Sequence, residues 1–220
     1  MRCALGVMAR APSAAGKTRL SAEQSPDRLE ALRTALLADT LCVAGQIAGV
    51  DVFVFFTPAD ARAKIAALAA HRFEYVAQSD GDLGERMHAA LDHVLRARGY
   101  DAAILIGSDI PLLTPAHVAG AREVLEAHGG VVIGPAADGG YYLIGMKQVQ
   151  QHLFERIEWG TASVLTDTLR AAEQSGVDAR LIRCAYDIDT MADLRRLKRD
   201  LASAAPDIAP SVRRWLGEGA

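Results

Sequence analysis

Asp109 is the residue of this sequence best placed to do chemistry, because it follows a buried strand. The segment Ala102–Ile106 is continuously apolar, as in a strand covered on both faces, and a short Gly107-Ser108 turn leads to the carboxylate. Ligands bind parallel sheets outside the carboxyl ends of their strands. Mg²⁺ is commonly held there by one or two carboxylates plus substrate oxygens. We therefore predict that Asp109 is catalytic and holds a divalent metal, Mg²⁺ or Mn²⁺.

A basic loop follows the first predicted strand, Cys3–Ala9. Arg10, Lys17 and Arg19 place three cations around a run of small residues. Backbone N–H groups and side-chain cations in such a loop can share the charge of a polyphosphate. A P-loop is the alternative, but Ala11 stands where that motif has its first glycine. We predict phosphate binding by the three cations, with a catalytic role for Lys17.

A late acidic pair, Asp187 and Asp189, follows another predicted strand. We expect the two side chains of this segment to face opposite sides. We predict that one completes the metal site and that the other caps the next helix together with Thr190. The D-x-D pattern of haloacid-dehalogenase phosphatases is similar, but there the pair follows the first strand.

Three further segments have residue types suited to a bound ligand. Gln78, Gly81 and Gly84 lie in a turn that enters a helix, where N–H groups can meet an anion or a base edge. The Asp-Gly-Gly-Tyr segment and the Trp-Gly-Thr segment suit an acceptor, although Asp-Gly is also a simple hairpin signal. The predicted acceptor-binding residues are Asp138, Gly139, Gly140, Tyr141, Trp159 and Thr161.

The elements that must position these residues alternate between strands and helices along the chain. This alternation predicts a three-layer α/β/α, Rossmann-like fold with a mostly parallel sheet. The predicted strands 131–133 and 141–146 are separated by a loop too short for a helical crossover, so one antiparallel strand is expected. With no linker or repeat, we expect one domain over residues 1–203 and a C-terminal tail over 204–220, with one turn near Trp215.

Composition limits the partners of the chain. The formal net charge of −3 gives no bulk attraction to nucleic acid, and no apolar run reaches the length of a membrane span. The apolar stretch after Met1 is short and ends at Arg10, which favours a cytoplasmic protein over a secreted one. Three widely spaced cysteines form no C-x-x-C pair for zinc. We expect small-molecule partners, with a homodimer as the candidate assembly.

Taken in order, these motifs resemble the DUF2064 family, also called radical-SAM/selenodomain-associated transferase 1, from about residue 3 to 200. That family belongs to the GT-A-like nucleotide-diphospho-sugar transferases and is similar to phospholactate guanylyltransferase and the molybdenum-cofactor nucleotidyltransferases. The resemblance implies a nucleotide-activated donor. It also implies phosphate binding at the Lys17 loop, a metal at Asp109 completed by Asp187 or Asp189, and an acceptor at Asp138–Tyr141.

Three hypotheses remain open at this point. Nucleotidyl transfer from an NTP to a small phosphorylated or hydroxylated acceptor is slightly favoured. GT-A glycosyltransferases usually carry D-x-D at the metal strand, whereas this chain has Gly107-Ser108-Asp109 with one carboxylate. Glycosyl transfer from an NDP-sugar is the second hypothesis, and a catalytically inactive nucleotide-binding regulator is the third.

Overall fold

A seven-stranded sheet forms the centre of the protein, whose computed structural model describes residues 1–13 and 20–218. The strands lie side by side in the order β3-β2-β1-β4-β6-β5-β7. Their bounds are β1 Cys3–Arg10, β2 Val50–Thr57, β3 Glu74–Ala77, β4 Ala102–Ile106, β5 Val131–Pro135, β6 Tyr141–Met146 and β7 Ala179–Leu181.

The pairing of the strands confirms the predicted mixed sheet. Strand β1 is parallel to both β2 and β4, and β5 is parallel to β7. Strand β6 lies between β4 and β5 and is antiparallel to both. The connection 136–140 is too short for a helical crossover, which explains the reversal. The carboxyl ends of β1, β4, β5 and β7 therefore meet at the same edge as the start of β6.

Helices cover both faces of the sheet and confirm the three-layer architecture. One buried cluster joins the sheet to α1 and α4, and a second joins the opposite face to α3 and α5. The helices are α1 Pro26–Gln46, α2 Arg62–Ala66, α3 Leu83–Asp92, α4 Pro115–His128, α5 Val164–Gln174, α6 Met191–Ser203 and α7 Pro210–Gly217. No helix in the described part of the chain is long and apolar enough to cross a membrane.

Two elements differ from the sequence prediction. The alanine content of segment 58–70 predicts a helix over its whole length, but only α2 is helical, and α2 has no side-chain cap at its start. Alanine propensity alone overestimates such a segment, because a helix end also needs partners for its free N–H groups. The sequence also predicts one helix over residues 83–98; that helix is present, but its last turn, His93–Ala97, is π-helical.

The C-terminal segment carries helix α7, which packs against α1. The buried carboxylate of Asp39 accepts hydrogen bonds from the backbone N–H groups of Ser211 (2.9 Å) and Val212 (3.0 Å), at the start of this helix. The indole of Trp215 donates to the carbonyl oxygen of Arg28. Residues treated as a tail from the sequence therefore have specific contacts with the body of the fold.

Candidate active site

A cavity of about 340 Å³ lies at the edge of the sheet where the parallel strands end. Its walls come from six separate parts of the chain, namely β1, the start of α3, the turn after β4, the β5–β6 connection, the segment before α5 and the segment before α6. Seven of the residues singled out from the sequence line it together: Asp109, Asp138, Gly140, Tyr141, Trp159, Thr161 and Asp187.

The turn that carries Asp109 is fixed to neighbouring elements by its backbone. The N–H of Gly107 donates to the carbonyl oxygen of Tyr142 at 2.9 Å, which continues the β4–β6 pairing by one residue. The hydroxyl of Thr40, in α1, lies 3.4 Å from the carbonyl oxygen of Ser108. The sheet and α1 thus hold the strand end that presents the carboxylate to the cavity.

The 136–140 connection is both a tight turn and part of the cavity wall. The Ala136 N–H donates to the carbonyl oxygen of Gly140, and the Gly140 N–H donates to Asp138 Oδ1 at 2.9 Å. Gly139 has a φ of +93°, and a Cβ there would run into the backbone of Ala162. Only glycine fits this position at no cost, so the close approach of the α5 entry depends on it.

Asp187 reaches the same cavity because its segment pairs with the β5 end. The Ala185 N–H donates to the carbonyl oxygen of Pro135 (2.9 Å), and the Ala137 N–H donates to that of Ala185 (3.0 Å). Burial, then the charges of Asp189 and Asp138, raise the pKa of Asp187 to about 6. Negative charge is therefore concentrated at this point of the cavity.

The prediction that one of the two late aspartates caps the next helix is wrong. The helix after them, α6, is capped by a reciprocal pair in which the Thr190 hydroxyl accepts from the Asp193 N–H and the Asp193 carboxylate accepts from the Thr190 N–H. The side-chain cap of the helix is thus Thr190 with Asp193, and the carboxyl group of Asp189 interacts with that of Asp187. Residues two positions apart in an extended segment face the same side, so the prediction that the two side chains separate was wrong.

The carboxylates fit a divalent cation that shares its coordination with a substrate. A cation would offset the mutual repulsion that raises the pKa of Asp187. Within residues 1–13 and 20–218, no group of three or more His, Cys, Asp or Glu side chains could hold a metal by itself. Mg²⁺ is commonly bound in proteins by one or two carboxylates, with phosphate oxygens and water as its other ligands.

Part of the cavity wall is aromatic. The rings of Tyr141 and Trp159 meet edge to face with centroids 6.3 Å apart. Burial raises the pKa of the Tyr141 hydroxyl well above its ordinary range, so the hydroxyl stays protonated. Leu83, which is 47% exposed, and Met87 extend this wall along α3. Sequence reasoning missed both, although their i, i+4 spacing beside the glycine-rich turn was visible.

The predicted donor-binding residues that the structure describes are Arg10, Gln78, Gly81 and Gly84, and none of them lines the cavity. Arg10 ends β1 and is exposed. The side-chain amide of Gln78 donates to the carbonyl oxygens of Ala9 (3.3 Å) and Phe55 (2.7 Å), at the same edge of the sheet. Gly81 has a φ of +107°, and Gly84 packs beneath Trp159. Lys17 and Arg19 are outside the described residues.

Comparison with protein families gives one match. A family model described as "Uncharacterized protein conserved in bacteria (DUF2064)" matches residues 40–161. This range includes the end of β4, the 136–140 turn and the Trp-Gly-Thr segment. No curated protein matches the sequence.

Solved structures share the fold over nearly the whole chain. A protein from Desulfovibrio desulfuricans G20, provisionally described as a nucleotide-diphospho-sugar transferase, has a TM-score of 0.90 and 29% identity, and the match covers 99% of this chain and 95% of that chain. A CMP:2-keto-3-deoxy-manno-octonic acid synthetase complexed with CTP has a TM-score of 0.55 and 14% identity, covering 92% and 99%. Rv0371c from Mycobacterium tuberculosis H37Rv, in complex with manganese, has a TM-score of 0.55 and 18% identity, covering 90% and 98%. The last two are similar in fold.

Proposed function

The chain belongs to the DUF2064 family, and from that premise we propose that it is a metal-dependent transferase acting on a nucleotide-activated donor. Nucleotidyl transfer from an NTP to a small acceptor is the favoured reaction. The proposal is carried by one observation, the convergence of Asp109, Asp138 and Asp187 on a single cavity at the carboxyl edge of the sheet. The D. desulfuricans protein and the CTP-bound synthetase, which share this fold, are described as users of nucleotides.

In this proposal a divalent cation and the cationic side chains of the basic loop bind the donor triphosphate. Mg²⁺ or Mn²⁺ bound there would neutralise charge on the phosphates. Asp109 and Asp187 would hold that cation, with Asp189 as a candidate contributor through its contact with Asp187. Arg10, Lys17 and Arg19 would stabilise the charge that develops on departing pyrophosphate. Gln78, Gly81 and Gly84 would line the nucleoside side of the donor.

The acceptor would occupy the wall formed by Asp138, Gly140, Tyr141, Trp159 and Thr161. An acceptor phosphate is already deprotonated at neutral pH, so its oxygen attacks the α-phosphorus without a base. A new P–O bond forms as the bond from that phosphorus to pyrophosphate breaks. The role of the wall, including the turn at Gly139, is to align the two reacting groups, which lowers the entropic cost of reaction.

Glycosyl transfer from an NDP-sugar is the second candidate. It is favoured by the description of the D. desulfuricans protein as a nucleotide-diphospho-sugar transferase, at 29% identity over 99% of the chain. In that reaction the nucleoside diphosphate is the leaving group, and the anomeric carbon of the sugar takes the place of the α-phosphorus. The single carboxylate of Gly107-Ser108-Asp109 keeps nucleotidyl transfer ahead.

Thermal unfolding in the presence of NTPs and NDP-sugars, with and without Mg²⁺ or Mn²⁺, tests both candidates. A ligand that binds the folded protein raises the Tm by mass action. We expect a metal-dependent rise with at least one nucleotide in the unmodified protein and its loss in Asp109→Asn. Asp101→Asn is the matched control, because Asp101 precedes the same strand at its opposite end.

Product analysis then separates the candidates. Pyrophosphate release identifies nucleotidyl transfer, and nucleoside diphosphate release identifies glycosyl transfer. Binding without any product in the presence of a range of phosphorylated acceptors would favour the nucleotide-binding regulator. If no nucleotide raises the Tm of the unmodified protein with metal present, the proposal is wrong.

A further inference from the structure

A second cavity, of about 490 Å³, lies behind the candidate active site. Ile110 lines both cavities, and residues 183–186 form much of the second one. The polar side chains around it include Thr114, His117, Arg183, Tyr186, Arg196, Asp200 and Ser203. None of these belongs to the donor, acceptor or metal site proposed above.

Arg183 brings an uncompensated positive charge to this cavity. It lies two residues after the end of β7, is exposed, and makes no ion pair with any residue in the described ranges. Its charge helps to lower the pKa of His117, whose main cause of lowering is burial. The nearby positive charge and burial together keep the His117 ring neutral at physiological pH.

The neutral His117 ring is oriented to donate a hydrogen bond. Its Nδ1 accepts from the backbone N–H of Thr114 at 3.1 Å, so the ring proton belongs on Nε2. This contact is part of the reciprocal cap at the start of α4. The ring edge also packs against Tyr142, with centroids 5.7 Å apart. The orientation of the ring is therefore fixed, and Nε2–H is the group left for a ligand.

Arg196 is the second cation and packs against an aromatic ring. Its guanidinium lies 3.8 Å from the centroid of the Tyr186 ring. Asp200, the one carboxylate of the wall, already accepts the Tyr186 hydroxyl at 2.6 Å and lies 3.7 Å from Arg196. The cavity has two guanidinium groups and one imidazole donor, whereas its carboxylate already accepts a hydrogen bond from Tyr186. Hydrogen-bond donors and positive charge are therefore in excess. Such a set is matched by a phosphate, which accepts several charged hydrogen bonds.

We propose that this second cavity binds a phosphate group, either free or carried by a small metabolite, at Arg183, Arg196 and His117. The site is distinct from the donor site and does not depend on the reaction proposed above. Tyr186, which supports Arg196, directly precedes Asp187 in the active-site cavity. An anion bound in the second cavity would thus hold the segment that carries Asp187, so occupancy there would also influence the active site.

Cys184 provides a local reporter for this proposal, because it is exposed and lines the second cavity. The rate of its modification by N-ethylmaleimide, followed by peptide mass spectrometry, should fall as inorganic phosphate is added. At a phosphate concentration equal to Kd, the rate should be halved by mass action. Sodium chloride at equal ionic strength controls for screening, and each variant is compared with itself in the absence of phosphate.

Arg183→Ala is the decisive variant, since this side chain has no ion-pair partner to lose within the described residues. We expect Arg183→Ala to require at least ten times more phosphate for the same protection of Cys184. Arg196→Ala should act in the same direction. Arg199 lies on α6, as Arg196 does, but outside the cavity wall, so Arg199→Ala should leave protection unchanged. Lys17→Ala should also leave it unchanged, which separates this site from the donor loop.

Two results would overturn the proposal. One is equal protection by chloride and phosphate in the unmodified protein. The other is unchanged protection in folded Arg183→Ala, with folding verified by circular dichroism. Neither result bears on the Tm experiment with nucleotides and Asp109→Asn, so the two proposals fail independently.

Discussion

The indole of Trp159 lies directly on the backbone of Gly84, so that a Cβ at position 84 would be 2.6 Å from the ring. The two residues belong to motifs 75 positions apart in the chain. Their contact joins the start of α3 to the Trp-Gly-Thr segment at the candidate active site. The glycine therefore sets how deeply the indole enters the cavity wall.

Gly84→Ala should displace Trp159 and destabilise the protein. Overpacking of this kind costs about 1–3 kcal/mol in free energy of unfolding. Because Trp159 lines the acceptor wall, the KM for the acceptor should rise more than the KM for the donor. Chemical unfolding and steady-state kinetics measure the two effects.

Gly120→Ala is the matched control for that substitution. Gly120 lies within α4 and has no atom within 4 Å of a Cβ built there. Alanine favours helix over glycine by about 1 kcal/mol, so this variant should be as stable as the unmodified protein or more stable. Equal stability of Gly84→Ala and Gly120→Ala would contradict the packing argument.

Asp187→Asn should stabilise the metal-free protein and weaken its response to metal and nucleotide. The folded pKa of Asp187 is raised from 3.8 to about 6, so its stabilising contribution is present at low pH and is lost as pH rises through 6. At pH 7.5 the charged carboxylate opposes folding, and solvent screening reduces the effect to about 1 kcal/mol. The metal-free variant should therefore unfold at a higher denaturant concentration.

The same variant should respond less to metal and nucleotide. Removing the charge weakens the candidate metal site, so the rise in Tm with nucleotide and Mn²⁺ should shrink. Asp101→Asn should change neither quantity by a comparable amount. A variant that is stabilised yet keeps full metal response would remove Asp187 from the metal site.

His117 should make stability fall in mild acid. Its folded pKa is lowered below 6.5, so the unfolded chain binds a proton more readily. Its contribution is fully present above pH 6.5 and is lost as pH falls through the folded pKa. Since Asp187 acts in the opposite direction, the test compares urea unfolding of the unmodified protein and His117→Gln at pH 7.5 and 5.5. Glutamine keeps the cap at Thr114. The His117→Gln variant should therefore lose less unfolding free energy between pH 7.5 and 5.5 than the unmodified protein does.

Asp39→Ala should loosen helix α7. The substitution leaves the N–H groups of Ser211 and Val212 without their acceptor in a buried region. Each such loss costs about 1–3 kcal/mol. Hydrogen exchange at residues 211–215 should rise with the drop in unfolding free energy.

Asp39→Asn supplies the control for this change. Asparagine keeps one acceptor oxygen but loses the charge that favours a helix N-terminus. Its stability should lie between those of the unmodified protein and Asp39→Ala. Unchanged exchange at residues 211–215 in Asp39→Ala would rule out an anchoring role for this carboxylate.

Local sequence determined the layered fold and the place of Asp109. Apolar runs and helix periodicity depend on near neighbours in the chain, so they predicted β4, the strand end and the antiparallel β6 from the short 136–140 connection. The same reasoning predicted which motifs lie at the carboxyl edge, because parallel strands present their ends on one side.

Only the tertiary structure decided which of those motifs meet. Asp138 and Asp187 share a cavity because Ala185 pairs with the end of β5, and Trp159 reaches Gly84 across the sheet edge. Likewise, the anchoring of α7 by Asp39 joins groups far apart in the chain, whose pairing no spacing rule predicts. Strand order and side-chain packing are set by the free energy of burying whole surfaces together, and that quantity is not local in sequence.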